Sequence, residues 1–144
     1  MSHESNGAGK VVVGIDGSPS SVAALRWALR HAEATGMTVE AVCAWQVPAV
    51  YGAAAIMLPA EDFAAAAAET LEATVAQVAV GDVPLFRNVV GGHPARVLLE
   101  RSEDAELLVV GSRGHGGLVG TLVGSVSQYC VNHAACPVVV VRGH

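Results

Sequence analysis

The sequence is poor in lysine, in aromatic rings and in charge. Lys10 is the only lysine among 144 residues, aromatic residues make up 4% and charged residues 15%. The eight basic residues (Lys10, Arg26, Arg30, Arg87, Arg96, Arg101, Arg113 and Arg142) are scattered, and the net charge is −5. No basic stripe exists to neutralise a row of phosphates, which argues against a nucleic-acid groove. No apolar run reaches the roughly 20 residues of a membrane helix. The opening "MSHESNGAG" has no apolar signal region and is expected to be a disordered lead-in over residues 1–9. Cys43, Cys130 and Cys136 form no CxxC pair, so buried thiols in a reducing, cytoplasmic compartment are expected. No two histidines have ligand spacing on one helix, and no metal site is expected. Two phosphate-binding fingerprints are also missing: there is no GxxxxGK[ST], and the first strand runs into "GIDGSPS" rather than GxGxxG.

What is present is apolar: 52% hydrophobic residues, with much alanine and valine. "KVVVGID" (Lys10–Asp16), "TVEAVCAW" (Thr38–Trp45), "PLFRNVV" (Pro84–Val90), "ELLVVG" (Glu106–Gly111) and "CPVVVVR" (Cys136–Arg142) read as strands. Between the first two, Ser18 caps a helix with Pro19 at its first position. Val22, Leu25, Leu29 and Ala32 give its apolar stripe, and Gly36 stops it. Further helices are expected over about Ala60–Val80, in "HPARVLLERSED", and from near Gly124 to His133. On the Ala-rich helix Glu61, Asp62, Glu69 and Glu72 mark a solvated face. The irregular stretch Val47–Pro59 is placed as a cover over a ligand or a partner surface.

Continuous apolar strands alternating with helices specify an α/β fold: an open parallel five-stranded sheet with helices on both faces, formed by one domain over residues 10–144. Ligands bind such sheets outside the carboxyl ends of the strands, where the strand order reverses. Orders 3-2-1-4-5 and 2-1-3-4-5 are both common. In the first, Asp16 and Gly111 face each other across the crevice.

"GSRGHGGLVGTLVGSVS" (Gly111–Ser127) holds six glycines, three serines and no acidic residue. Glycine lets backbone approach a ligand closely, and a helix N-terminus beyond it supplies N–H donors and a positive dipole end. Ser125 and Ser127 stand where hydroxyls can reach phosphate oxygens. A phosphate cradle and a plain glycine-rich surface loop both fit this composition.

The spacing is more specific: Gly111, two residues, Gly114, nine residues, then Gly124 and Ser125 give G-x2-G-x9-G-[ST]. Together with "VVVGIDGSPSS", "LLVVGSRGHGG" and "ACPVVVVR", this resembles the ATP-binding subgroup of the universal stress protein family over nearly the whole chain. The resemblance implies strand order 3-2-1-4-5 and a Rossmann-like fold of the adenine nucleotide alpha hydrolase kind. It implies ATP, alone or with Mg²⁺ or Mn²⁺, as ligand. Matched by position, Gly14, Ile15 and Asp16 form the first-strand turn, with Asp16 at the nucleoside. Ala44 or Trp45 stands at adenine, and Trp45 either stacks or points away. Gly111, Ser112, Arg113 and Gly114 make the first half of the phosphate loop, and Gly124, Ser125, Val126 and Ser127 the second. The resemblance also implies a homodimer made by pairing last strands, Val138, Val139, Val140 and Val141.

Asp16 also suits bonding of its own turn amides. Arg113 is a candidate phosphate partner. His93 reads as a helix-start residue, His115 as a loop residue and His133 as a helix end. No catalytic residue stands out, since the loop offers only Arg113 and serines and no carboxylate base. Three functions follow for comparison: an ATP-binding regulatory module acting as a dimer in the stress response, a slow ATPase or autophosphorylating enzyme, and a nucleotide-free dimeric interaction protein.

Overall fold

Five short β-branched runs become strands β1 (Lys10–Gly14), β2 (Thr38–Trp45), β3 (Leu85–Gly91), β4 (Leu107–Gly111) and β5 (Val138–Val141) in a computed structural model that describes residues 9–47, 59–113 and 124–143. All pairs are parallel and the order is β3-β2-β1-β4-β5, the first of the two alternatives. Helices α1 (Pro19–Thr35), α2 (Ala60–Val75), α3 (Pro94–Arg101) and α4 (Ser125–His133) complete the described residues. None is long and apolar enough to cross a membrane.

The pleat sorts the core into two layers. Val11, Val13, Val39, Ala41, Cys43 and Val109 point to the face covered by α1 and α2, against Leu25, Leu29 and Leu71. Val12, Val42, Leu108 and Val110 point the other way, against Val97 and Leu98 of α3 and Cys130 of α4. Both faces are buried, which is why these strands are unbroken apolar runs.

The punctuation of α1 follows the sequence. Ser18 takes an extended conformation (φ −75°, ψ 157°) and its side chain accepts a hydrogen bond from the Ser21 N–H. Gly36 ends the helix at φ 76°. Other boundaries are tighter than the residue pattern suggests. β1 ends at Gly14, although the Ile15 N–H still donates to the Val42 carbonyl at 2.8 Å. α2 ends at Val75 rather than Val80, because Gln77 and Val78 bond back only three residues, to Thr74 and Val75. Val78 and Val80 nevertheless pack on the core, which explains the continued apolar spacing.

Glu40, the third residue of β2, is only 4% exposed. Its carboxylate accepts from Lys10 Nζ at 3.0 Å, Asn88 Nδ2 at 2.7 Å and Arg101 Nε at 2.8 Å, with a second, short contact from the Arg101 guanidinium. This ties β1, β2, β3 and α3 at one point. Burial alone would raise the carboxyl, but the bonds from Lys10, Arg101 and Asn88 outweigh it and hold Glu40 below the ordinary carboxylate range. Glu40→Gln is expected to destabilise the fold by about 2 kcal/mol at neutral pH, since the remaining partners are partly solvated. A depressed folded pKa gives stability that is complete above the unfolded value of 4.5 and is lost as pH falls through the folded one. Urea midpoints of wild type and variant should therefore converge on acidification. A constant gap down to about pH 3 would show that the charge is not responsible.

Candidate functional site

The strand order reverses between β1 and β4, and a cavity lies over their carboxyl ends. Its floor is apolar: Val42 and Ala44 from β2, Pro94 and Leu98 from α3, and Val110 from β4. Its rim is polar, with Asp16, Ser18 and Ser21 on one side and Arg113 and Ser125 on the other. Such a pairing of apolar floor with a few convergent polar groups suits a small ligand with a flat apolar part and a charged part.

Of the residues singled out in the sequence, Gly14, Ile15, Asp16, Ala44, Gly111, Arg113, Gly124, Ser125, Val126 and Ser127 all line this cavity. Ser112 does not. It is buried beneath the rim, its N–H donating to the Val141 carbonyl at 2.8 Å. Gly114, His115 and residues 48–58 lie outside the described residues. Trp45 points away from the cavity, packing on the opposite face of the sheet and against Gly91. Val42, Pro94 and Leu98 were not evident as site residues. The signal for Val42 is the strand period of two from Ala44, and for the other pair the i, i+4 spacing on one helix.

Asp16 serves its own turn while exposed at the rim. One carboxylate oxygen accepts from the Ser18 N–H at 2.9 Å and from the Ser18 hydroxyl at 2.6 Å. Opposite it, α4 begins after Gly124, which provides no side-chain cap. The first turn of α4, Ser125 to Ser127, lines the cavity, so the positive end of the helix faces it. Gly124 has φ −65° and ψ 162°, allowed for any residue. Backbone conformation therefore does not require glycine there. The Ser127 hydroxyl is buried and donates to the Gly111 carbonyl, so its proton joins the two halves of the loop stem rather than facing outward. The Gly124 N–H closes the same stem on the Ser112 carbonyl at 2.6 Å.

His93 is the N-cap of α3, its Nδ1 accepting from the Ala95 N–H at 3.2 Å, and His133 ends α4 against Tyr129. Cys43 and Cys130 are pushed up to about 11 by burial, with Asp16 adding to the shift at Cys43, so both remain thiols at neutral pH. Among the described residues no three His, Cys, Asp or Glu side chains converge as a metal site would require.

A family model described as the universal stress protein family matches residues 7–142. The chain belongs to the universal stress protein family. A universal stress protein of Mycobacterium tuberculosis is 43% identical over 138 residues, which is 92% of this chain and 45% of that protein. The chain thus spans less than half the length of such curated relatives. Among solved structures, a universal stress protein in complex with cAMP is 26% identical with TM-score 0.73, covering 94% of this chain and 98% of the other. An Arabidopsis thaliana family member with AMP bound is 23% identical with TM-score 0.64, covering 94% and 92%.

The stem of this universal stress protein's loop leaves no room at Gly111. A Cβ there would lie 2.7 Å from the backbone carbon of Ser20. Gly111→Ala should therefore cost about 2 kcal/mol in urea denaturation with no ligand present, as overpacking against rigid backbone does. A loss under about 0.5 kcal/mol would mean that α1 yields easily.

Proposed function

We propose that this protein binds ATP in the cavity and acts as a nucleotide-dependent regulatory module. The observation that carries this reading is the opposition of Asp16 to Arg113 and the N-terminal turn of α4 across an apolar floor. Val42, Ala44, Pro94 and Leu98 would hold the base, and Asp16 would accept from ribose hydroxyls. Arg113, Gly114, Gly124 and Ser125, with the first-turn amides of α4, would hold the phosphates. Mg²⁺ or Mn²⁺ would enter with the phosphate chain. The cAMP and AMP found in structurally similar family members support an adenine nucleotide as ligand. The cytoplasm, where ATP is available and thiols stay reduced, is the matching compartment.

The decisive experiment is mass spectrometry of nucleotide released by denaturing the purified protein, joined to calorimetric titration with ATP. One ATP per chain is expected. Asp16→Ala should weaken ATP by about tenfold and tripolyphosphate by much less, since the nucleoside contact is lost while the groups on the phosphate side remain. A protein that neither carries nor binds ATP would return the glycines to a structural role. ADP release under saturating ATP and Mg²⁺ separates a module from an enzyme, and turnover of about 1 s⁻¹ or faster would favour the enzyme.

We further propose that the module works as a dimer joined through β5. β5 is an edge strand of four half-buried valines, an aggregation-prone surface unless paired. The Pro137 carbonyl accepts from Leu108 of β4 and the Val141 carbonyl from Ser112 just beyond it, so the backbone groups of Val138 and Val140 turn to the open edge. Val140→Pro removes an outward N–H and spares the β4 ladder. In sedimentation it should shift a dimeric wild type to monomer with little loss of stability. A variant that stays dimeric would place the interface elsewhere.

A further inference from the structure

Ser20 lies at the second position of α1, is 5% exposed, and is sandwiched between two glycines. A Cβ on Gly111 or on Gly143 would each come within 2.7 Å of its backbone. Its side chain makes no bond within its own helix. The hydroxyl instead donates to the Arg113 carbonyl at 2.6 Å and accepts from the Arg113 N–H at 3.4 Å. Both peptide groups of one loop residue are therefore held by one buried hydroxyl. Ser18 stands alongside, its hydroxyl 3.2 Å from the same carbonyl and 3.3 Å from Ser20 Oγ, but a hydroxyl has one proton and the Asp16 carboxylate takes it at 2.6 Å. The Arg113 carbonyl thus depends chiefly on Ser20.

We infer that Ser20 is a positioning residue for the phosphate half of the site, an inference that rests on the ATP reading above. By fixing both peptide groups of Arg113 it sets the direction in which the chain leaves β4 and aims the Arg113 side chain at the cavity. The Ser112 carbonyl, one residue earlier, receives the Gly124 N–H, so the same clasp fixes where α4 begins. The site is then formed before the ligand arrives, and binding need not bear the cost of ordering it.

Ser20→Ala tests this without touching a ligand-facing group. Alanine is a good helix residue at this position and fills less space, so the variant should fold. Affinity for ATP should fall about tenfold, while affinity for adenosine, measured by competition, should change less than about twofold. A purely structural serine would lower the melting temperature and leave the ratio of the two affinities alone. Equal loss for both ligands, or no loss for ATP, overturns the inference while leaving the ATP reading intact. A wild-type protein that binds no ATP overturns both. Should the alanine variant not fold, Ser20→Cys keeps the volume with only a weak donor and is read in the same way.

Discussion

Everything at the cavity end of this molecule depends on the connections after β1 and after β4 leaving in opposite directions. After β1 the chain builds outward through β2 and β3, then returns to lay β4 and β5 on the other side. Neighbouring loops over the carboxyl ends of β1 and β4 therefore diverge, and the gap between them is the cavity. No side chain has to be sacrificed to create it. The residues around it need only be small enough to keep it open, and Gly14, Ala44, Gly111 and Gly124 are.

The two ends of the sheet solve opposite electrostatic problems. At the amino end a buried Glu40 is surrounded by donors, and its charge is spent on holding three strands and a helix together. At the carboxyl end serine hydroxyls hold backbone carbonyls, and the first turn of α4 lines the cavity. The first arrangement consumes charge inside the fold, and the second sets polar groups around the cavity. A parallel sheet makes the division natural, because all strands present the same end to the same side.

Much of this is legible in the sequence. β2 reads off to the residue because Gly36 stops α1 and the β-branched run is unbroken, and the Gly111–Ser125 spacing marks the cavity rim. The end of α2 is not legible: Val78 and Val80 keep the helical spacing while packing on the core from a turn. Glu40 is hidden for a different reason. In a strand it looks like any solvent-facing charge, and its partners lie 30, 48 and 61 residues away. Ser20 and Ser127 share that problem, since "SPSS" reads as a cap and "GSVS" as ligand contacts, whereas their hydroxyl partners are set by tertiary packing 93 and 16 residues off.

The sheet also divides the molecule optically. Its two tryptophans, Trp27 and Trp45, both pack on the α1–α2 face, Trp27 stacked on His31 and Trp45 over Gly91. The cavity floor faces the other layer. Ultraviolet emission from this protein therefore reports the α1–α2 half of the core. A small molecule settling over Ala44 meets no indole, even though Trp45 is the next residue in the chain. Any change in emission on loading would be a signal carried through the sheet itself, from one layer to the other.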